Sequence, residues 1–261
     1  MLAGHSLQKR FGDVVALEGV DIEVRPGHIT VLVGPSGSGK TTLVRCLAFL
    51  EQPDAGTIQF NGDIFHYPRP QNQFKAPPWP ELTVVFQQHF LWPHLTIRQN
   101  VMLPLERHGG CDKKEFKELV YLFEMEEFLD RHPNEVSIGQ RQRAAMLRAL
   151  LLHPKIILMD EITAALDVEQ IGKVSSLLLA LRARGIGMLV ISHLLGFARS
   201  LLQSEGDRVV FLYRGKVLES GGDELFDSAR HPRVQEFIGQ WDPSARAVRR
   251  QHCEPINRVR A

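Results

Sequence analysis

The spacing of apolar and polar residues changes character along this chain. In residues 5–33, apolar residues alternate with polar or small ones and the pattern is broken by Gly19, Pro26 and Gly27, which predicts short strands. From about residue 87 to residue 150 the spacing becomes helical. Further on, the predicted order is strand 156–159, helix 168–184, strand 187–191, helix 194–203 and strand 208–213. This alternation predicts an α/β fold with a parallel sheet and helical crossovers.

Turn signals mark the connections between these segments. Residues 51–56 form a turn cluster, and residues 57–65 are predicted to form a hairpin around Asn61-Gly62, a pair that suits a tight type I′ turn. Five prolines make residues 66–80 a loop, and residues 82–86 are the next predicted strand.

Polar residues at predicted helix starts support the helical assignments. Thr96 with Gln99 forms a capping-box pattern, and Asp112 and Ser137 are candidate N-caps. The helix after Ser137 is predicted to run to about Leu152. A strand at 216–220 and a helix from Pro232 through Ile238 complete the predicted elements.

Composition narrows the class of protein. The 261 residues are 44% hydrophobic and 23% charged, which is ordinary for a globular protein with a real core. The formal net charge of +1 gives no reason to expect a nucleic-acid partner. No apolar run is long enough for a membrane span, the first six residues lack a signal-peptide core, and three scattered cysteines fit a reducing cytosol.

One glycine-rich stretch carries the strongest functional signal. Residues 34–42 follow an apolar run at 28–33 and precede a helical pattern. Strand, glycine-rich loop and helix form a phosphate-binding context, in which backbone N–H groups and the helix dipole face an anion. Lys40 is expected to reach the β- and γ-phosphates, and the Thr41 hydroxyl to bind Mg²⁺. The predicted nucleotide-contacting residues here are Gly34, Pro35, Ser36, Gly37, Ser38, Gly39, Lys40, Thr41 and Thr42.

Polar side chains follow three other predicted strands. Asp160 and Glu161 end an apolar strand, where Asp160 can hold Mg²⁺ and Glu161 can polarise a water molecule for attack on the γ-phosphate. His193 ends the strand at 187–191 and can contact the γ-phosphate or that water, although a single histidine can equally be structural. Gln87 follows the strand at 82–86 and is a candidate metal or water ligand.

A second anion site is suggested at the start of the helix after Val136. The Ser137 hydroxyl and the free N–H groups of a helix start can bind phosphate, but no lysine accompanies them. The alternative is an ordinary capped helix. The chain therefore carries one full phosphate loop and one unpaired half-site.

Taken in order, these segments resemble the nucleotide-binding subunit of an ATP-binding cassette (ABC) transporter, over residues 5–238. The matching segments are residues 34–42, Gln87, residues 136–140, residues 156–161, residues 164–167 and His193. Residues 86–96, 159–161 and 196–199 most resemble the subgroup that imports polar amino acids in bacteria.

The resemblance implies a P-loop NTPase core with a mainly parallel sheet, an N-terminal antiparallel β subdomain and an inserted α-helical subdomain. It implies one ABC ATPase domain over residues 1–240, with the core in 1–86 and 153–240 and the helical signature subdomain in 87–152. Residues 241–261 are expected to be a flexible basic tail.

The resemblance also implies a homodimer with ATP held between one subunit's phosphate loop and the other subunit's signature helix. Ser137, Gly139 and Gln140 would then act on the partner's ATP, Phe11 would stack on adenine, and Asp167 would lie in the loop that links the two sites. A groove beside Gln87 would receive a short helix of a membrane permease.

Four positions depart from the family pattern, one of them Ala164, where serine is common. Val136 and Ile138 replace leucine and glycine in the signature, and Ile162 replaces the proline that usually follows the glutamate. Isoleucine is strained at 138 only if that position needs a positive φ; in a normal first helical turn it costs a few tenths of a kcal/mol relative to the best helix formers.

The sequence therefore predicts an ATPase, using ATP and Mg²⁺, that drives solute import from the cytoplasmic face of the cell membrane. Its expected partners are integral membrane permease subunits, a second copy of itself and an extracytoplasmic solute-binding protein, without nucleic acid. The alternatives are the ATPase of an exporter or lipoprotein-release system and, from another class, a soluble ABC ATPase or a P-loop kinase. A soluble ABC ATPase usually has two cassettes or a coiled coil, and a kinase leaves the signature helix without a role.

Overall fold

The computed structural model describes residues 1–68, 78–107, 112–163 and 166–241. Most of the proline-rich loop, Ala164 and Ala165, and the predicted tail lie outside the described residues. In the described part of the chain, no helix is long and apolar enough to cross a membrane.

An antiparallel sheet is built from the N-terminal half of the chain. Its strands are β1 (Leu2–Phe11), β2 (Val14–Val24), β4 (Ala55–Phe60) and β5 (Asp63–Tyr67), in the order β2-β1-β4-β5. The predicted Asn61-Gly62 turn is confirmed, since both residues have positive φ, as a type I′ turn requires. The short strands predicted for residues 5–33 are wrong in length: β1 and β2 are long, because register shifts in β1 and a positive φ at Gly19 absorb the irregular pattern.

A second, mainly parallel sheet forms the centre of the molecule. Its further strands are β3 (Ile29–Val33), β6 (Leu82–Val85), β7 (Ile156–Asp160), β8 (Gly187–Ile191), β9 (Arg208–Tyr213) and β10 (Lys216–Gly221). The order is β10-β9-β3-β8-β7-β6, and β10 is antiparallel to β9. The predicted parallel sheet with helical crossovers is confirmed.

Helices supply apolar residues to both faces of this sheet, and the antiparallel sheet helps to cover one of them. The helices are α1 (Lys40–Leu47), α2 (Ile97–Met102), α3 (Lys113–Leu122), α4 (Ile138–Leu150), α5 (Val168–Ala183), α6 (Leu195–Leu201), α7 (Leu225–Ser228) and α8 (Pro232–Trp241). Short 3₁₀ helices lie at Leu103–Arg107 and Pro133–Glu135.

Two apolar clusters lie on opposite faces of the parallel sheet. Val31 and Met159 belong to the cluster that includes α2 to α6, while Leu32 and Leu158 belong to the cluster that includes α1 and the antiparallel sheet. Adjacent residues of one strand face opposite ways, so both faces are covered, as parallel sheets require. Cys46 is fully buried in the second cluster, and burial raises the pKa of its thiol to about 12.

Most differences between prediction and structure lie at element ends. Ala55 and Gly56 belong to β4 rather than to a turn, because Ala55 pairs with Gln8 of β1 and Gly56 pairs with Tyr67 of β5. Helix α4 ends at Leu150 rather than Leu152, α6 covers 195–201 rather than 194–203, and α8 continues to Trp241. The predicted caps at Thr96, Asp112 and Ser137 are all confirmed.

Candidate nucleotide-binding site

The register of the parallel sheet gathers the predicted site residues at one edge. Leu32 of β3 and Asp160 of β7 both lie beside Ile191 of β8, and Val85 of β6 lies beside Met159. One or two positions after these paired residues come the predicted site residues Gly34, Glu161, His193 and Gln87. Their segments therefore leave the sheet side by side, at the carboxyl ends of its strands.

The glycine-rich loop needs glycine at two of its positions. Gly34 and Gly39 have φ values of 147° and 105°. A Cβ on Gly34 would lie 2.0 Å from the carbonyl oxygen of Leu212, and one on Gly39 would lie 2.3 Å from that of Ala16. The loop is thus held against the backbone of β2 and β9, where no other residue fits.

Lys40 is folded back into this loop. Its side chain is 5% exposed, and Nζ donates to the carbonyl oxygens of Gly34 at 2.8 Å and Pro35 at 2.9 Å. Burial lowers the pKa of Lys40, although the carboxylates of Glu161 and Asp160 oppose that shift. The Ser38 hydroxyl is buried and has no hydrogen-bond partner among the described residues. A buried cation and an unsatisfied hydroxyl in one loop are suited to an anionic ligand.

Asp160 and Thr41 fit a divalent cation. Burial raises the pKa of the Asp160 carboxyl, and the nearby Thr41 hydroxyl opposes that shift. Asp160 is 5% exposed, and its Oδ1 has no hydrogen-bond partner in the described part of the chain. A hydroxyl and a buried carboxylate with a spare oxygen are hard ligands of the kind that Mg²⁺ takes together with phosphate oxygens.

Glu161 and His193 come from different strands and meet directly. Nε2 of His193 lies 2.5 Å from Oε1 of Glu161. Glu161 has a φ of 52°, a left-handed conformation that costs about 1–2 kcal/mol for a residue other than glycine. Strain of this kind is concentrated at functional sites, where the surrounding structure holds it. The sequence predicted each residue separately but not their hydrogen bond.

Phe11 and Gln87 come from different sheets: Phe11 ends β1 of the antiparallel sheet, and Gln87 follows β6 of the parallel sheet. Phe11 is 49% exposed at the end of the β1–β2 hairpin, where it pairs with Val14, two residues before the Ala16 carbonyl that contacts Gly39. The ammonium of Lys9 lies 5.1 Å from the centre of the Phe11 ring. Gln87 is exposed just beyond β6.

The start of α4 is an exposed capping box. The Ser137 hydroxyl accepts from the Gln140 N–H at 3.2 Å, and the Gln140 side chain accepts from the Ser137 N–H at 2.8 Å. Gly139 is buried against Leu166 and Gln170. Ile138 is the first residue of the helix, so its backbone is not in the positive-φ conformation that would strain isoleucine. Its side chain is 46% exposed.

The two predicted phosphate sites are not brought together within one chain. Among the described residues, no hydrogen bond or ion pair joins residues 137–140 to residues 34–42. Asp167 caps α5 through the Gln170 N–H at 2.8 Å. Near Gln87, an open groove of 410 Å³ lies between β6 and α4, lined in part by Leu50, Val84 and Arg148.

Sequence reasoning missed the contacts that hold the loop of Gln87. His89 lies 2.7 Å from Gln142, and Arg148 donates to the carbonyl oxygens of His89 and Phe90. One signal was available: Gln142 lies three residues before Ala145 and seven before Ala149, in the apolar row of α4. A glutamine in such a row indicates a buried polar contact.

Comparison with known proteins agrees with this geometry. Residues 17–164, more than half of the chain, match the ABC transporter family model. A dimeric post-hydrolysis structure of the ATP-binding cassette MJ0796 bound to ADP and Pi superposes with a TM-score of 0.73 at 30% identity, over 85% of this chain and 98% of that one.

Three curated relatives of this chain differ in the transported solute that their names give. The histidine/lysine/arginine/ornithine transport ATP-binding protein HisP of Escherichia coli is 37% identical over 89% of this chain and 94% of its own length. The L-cystine import ATP-binding protein TcyN of Bacillus subtilis is 34% identical over 98% of this chain and 100% of its own length. A probable sulfate/thiosulfate import ATP-binding protein CysA of Chlorella vulgaris is 38% identical over 90% and 97%.

The fold and the phosphate loop thus define a P-loop ATPase with an inserted helical region. The chain belongs to the ABC transporter family, and within that family it is a nucleotide-binding ATPase cassette.

Proposed function

We propose that this ATPase powers the import of polar amino acids through a separate membrane permease, at the cytoplasmic face of the membrane. The observation that carries the proposal is a complete phosphate loop in the same chain as a signature helix whose start is exposed and has no lysine. The names of the relatives HisP and TcyN support amino acids as the solute. The name of CysA favours sulfate as a second candidate.

The proposed active unit is a head-to-tail dimer. In one chain the Ser137 hydroxyl is exposed and, among the described residues, makes no hydrogen bond to the phosphate loop. A second copy of the chain would place this hydroxyl against a triphosphate bound at that copy's own phosphate loop. The dimeric state of the MJ0796 cassette supports this arrangement. Closure on two ATP molecules and reopening after hydrolysis would move the permease, because ATP binds the closed state more tightly than the open one.

The proposed binding roles follow from the chemistry at the strand ends. The loop N–H groups and Lys40 bind the β- and γ-phosphates, Phe11 contacts the adenine, and Ser137, Gly139 and Gln140 bind the partner's γ-phosphate. Thr41, Asp160 and Gln87 would hold Mg²⁺, which when bound neutralises charge on the phosphates.

The proposed catalytic roles centre on the contact between Glu161 and His193. Glu161 orients or deprotonates the attacking water, and its partner His193 keeps the carboxylate in place and supports the γ-phosphate. Lys40 must leave the carbonyl oxygens of Gly34 and Pro35 to reach the phosphates, where it stabilises negative charge that develops during hydrolysis.

The groove between β6 and α4 is the proposed docking site for the permease. It is open, lies next to the loop of Gln87 and is lined mainly by apolar side chains. A solute-binding protein outside the membrane would complete the importer, and solute choice would lie in that protein and the permease.

Replacing Glu161 with glutamine tests the catalytic proposal. Glu161→Gln keeps the size and a hydrogen bond to His193 but removes the negative charge, so we expect turnover to fall at least about 10²-fold while ATP still binds. Dimers dependent on ATP should then become visible by size-exclusion chromatography. Near wild-type hydrolysis by the variant would rule out this role for Glu161.

The solute is tested with the membrane permease that co-purifies with this chain. Vesicles that contain the complex, with ATP inside, should accumulate a labelled basic or polar amino acid in preference to sulfate. Uptake of sulfate alone would favour the second candidate. ATP-driven release of solute from inside the vesicles would favour an exporter.

A further inference from the structure

The loop of residues 86–96 is fixed at both ends, and Gln87 lies between the fixed points. On one side, Val85 pairs with Met159 in the parallel sheet. On the other side, Thr96 caps α2 through the Gln99 N–H at 3.2 Å. Gln87 itself is exposed, so its position depends on what holds the residues that follow it.

His89 joins this loop to the signature helix α4. Its Nε2 lies 2.7 Å from Oε1 of Gln142, two residues after Gln140 in α4. Gln142 is only 4% exposed, and its Nε2 has no partner among the described residues. Because loss of His89 would leave the amide oxygen of Gln142 unsatisfied as well, the contact is costly to break.

Arg148 makes a second attachment on the same helix. Its guanidinium donates to the carbonyl oxygens of His89 and Phe90, both at 2.8 Å. Gln142 and Arg148 are six residues apart, or about 9 Å along a helix, so the two attachments fix the direction of the loop as well as its position. Phe90 has a φ of 46°, a strained conformation that the attachments hold in place.

The surroundings of His89 disfavour the charged form of its ring. Burial lowers the pKa of His89, and the nearby cations Arg141 and Arg148 lower it further, while the hydrogen bond to Gln142 opposes the shift. A neutral imidazole has one donor and one acceptor, and the contact with an amide oxygen assigns the donor to Nε2. The interaction is therefore a directional hydrogen bond between two neutral groups.

We infer that His89 is a positioning residue for the ATPase reaction, which ties the loop of Gln87 to the helix of Ser137 so that both reach the nucleotide together. The inference rests on the proposed function of this site. The sheet holds the loop only as far as Val85, and α4 holds it from His89 onward. A shift of α4 toward a partner's nucleotide therefore displaces Gln87 within its own site.

The test separates positioning from packing through kcat and KM. His89→Ala leaves the phosphate loop untouched, so we expect the KM for ATP to stay within about twofold while kcat falls about tenfold, the size of effect that one buried hydrogen bond supports. His89→Gln places a donor near the Nε2 position and should recover at least half of the wild-type kcat. His94→Ala is the matched control, because His94 lies in the same loop but is exposed.

Gln142 supplies an independent variant on the other side of the contact. Gln142→Leu keeps the volume but removes the acceptor, and it should lower kcat as His89→Ala does. The double variant should lose no more than either single variant, because both remove the same interaction.

Four results would overturn the inference: an unchanged kcat in His89→Ala, an equal loss in His94→Ala, no recovery in His89→Gln, or additive losses in the double variant. The proposed function fails on a different result, since a wild-type protein without ATPase activity would refute it whatever His89 does.

Discussion

The two phosphate-binding segments of this chain are built in opposite ways. The loop at residues 34–42 is enclosed: Gly34 and Gly39 press against backbone carbonyls, and Lys40 is 5% exposed. The start of α4 is open, with an exposed Ser137 whose hydroxyl, among the described residues, hydrogen-bonds only within its own helix. One chain thus shapes the first segment completely and leaves the second for a surface that only another molecule can supply.

This difference concerns charge as well as shape. The enclosed loop contains a buried cation and lies beside the carboxylates of Asp160 and Glu161. The signature segment, residues 136–140, contains no charged side chain and relies on helix N–H groups and a hydroxyl. An isolated chain should therefore recognise nucleotide through the loop alone, and the helix should act only once the dimer has formed.

The largest expected effect comes from mixing two inactive variants. Lys40→Ala destroys the enclosed loop and Ser137→Ala destroys the open half-site, so each variant alone should lose at least about 10²-fold of its turnover. In an equal mixture half of the dimers are hybrid, and one of the two sites in each hybrid is whole, so about a quarter of the wild-type rate should return. The rate is measured by phosphate release.

A mixture no more active than its components would show that the half-sites do not combine between chains. Wild-type protein mixed with the Lys40→Ala chain serves as the control, because it reports any loss caused by subunit exchange itself.

A smaller effect is expected from adding one methyl group to each segment. Gly39→Ala would put a Cβ 2.3 Å from the Ala16 carbonyl oxygen at a φ of 105°, so it should destabilise the loop and abolish nucleotide binding. Gly139→Ala meets the flexible Gln170 side chain at 2.7 Å within a helix, where alanine is favoured over glycine by about 1 kcal/mol.

We therefore expect Gly139→Ala to melt within about 3 °C of the wild type and Gly39→Ala to melt clearly lower, as measured by calorimetry. Equal melting temperatures for the two variants would show that the loop is not enclosed in the way described.

The smallest expected effect concerns the folding free energy that is lost by burying the charged Asp160 carboxylate. Burial raises the pKa of Asp160, so the folded state binds its proton more tightly than the unfolded state does. The free-energy cost of the charged form grows as pH rises above the unfolded pKa, and it is complete once the pH exceeds the folded pKa. Asp160→Asn should therefore raise the melting temperature of the nucleotide-free protein by about 2–4 °C at pH 7.

The gain should shrink as the pH is lowered through the folded pKa and vanish below the unfolded value of about 3.8, where the wild-type carboxyl is neutral in both states. The same variant should also lose the stabilisation that ATP with Mg²⁺ gives to the wild type. A gain that does not change with pH would contradict the assigned cause.

The sequence by itself determined the order of elements and the residue types of the site. The run of β-branched residues before Gly34 and the helical spacing after Lys40 place the phosphate loop between strand and helix. Caps such as Ser137 and the Asn61-Gly62 turn depend on local backbone chemistry, which the sequence carries in a few adjacent residues.

Only the tertiary structure decided which of these residues meet. Glu161 and His193 are 32 positions apart, and their contact follows from the pairing of β7 with β8. His89 and Gln142 are 53 positions apart, and their contact follows from the packing of α4 beside β6. The physical reason is that hydrophobic burial is non-directional and does not select which strands and helices pair. Pairing between distant segments therefore depends on strand register and helix packing across the whole core.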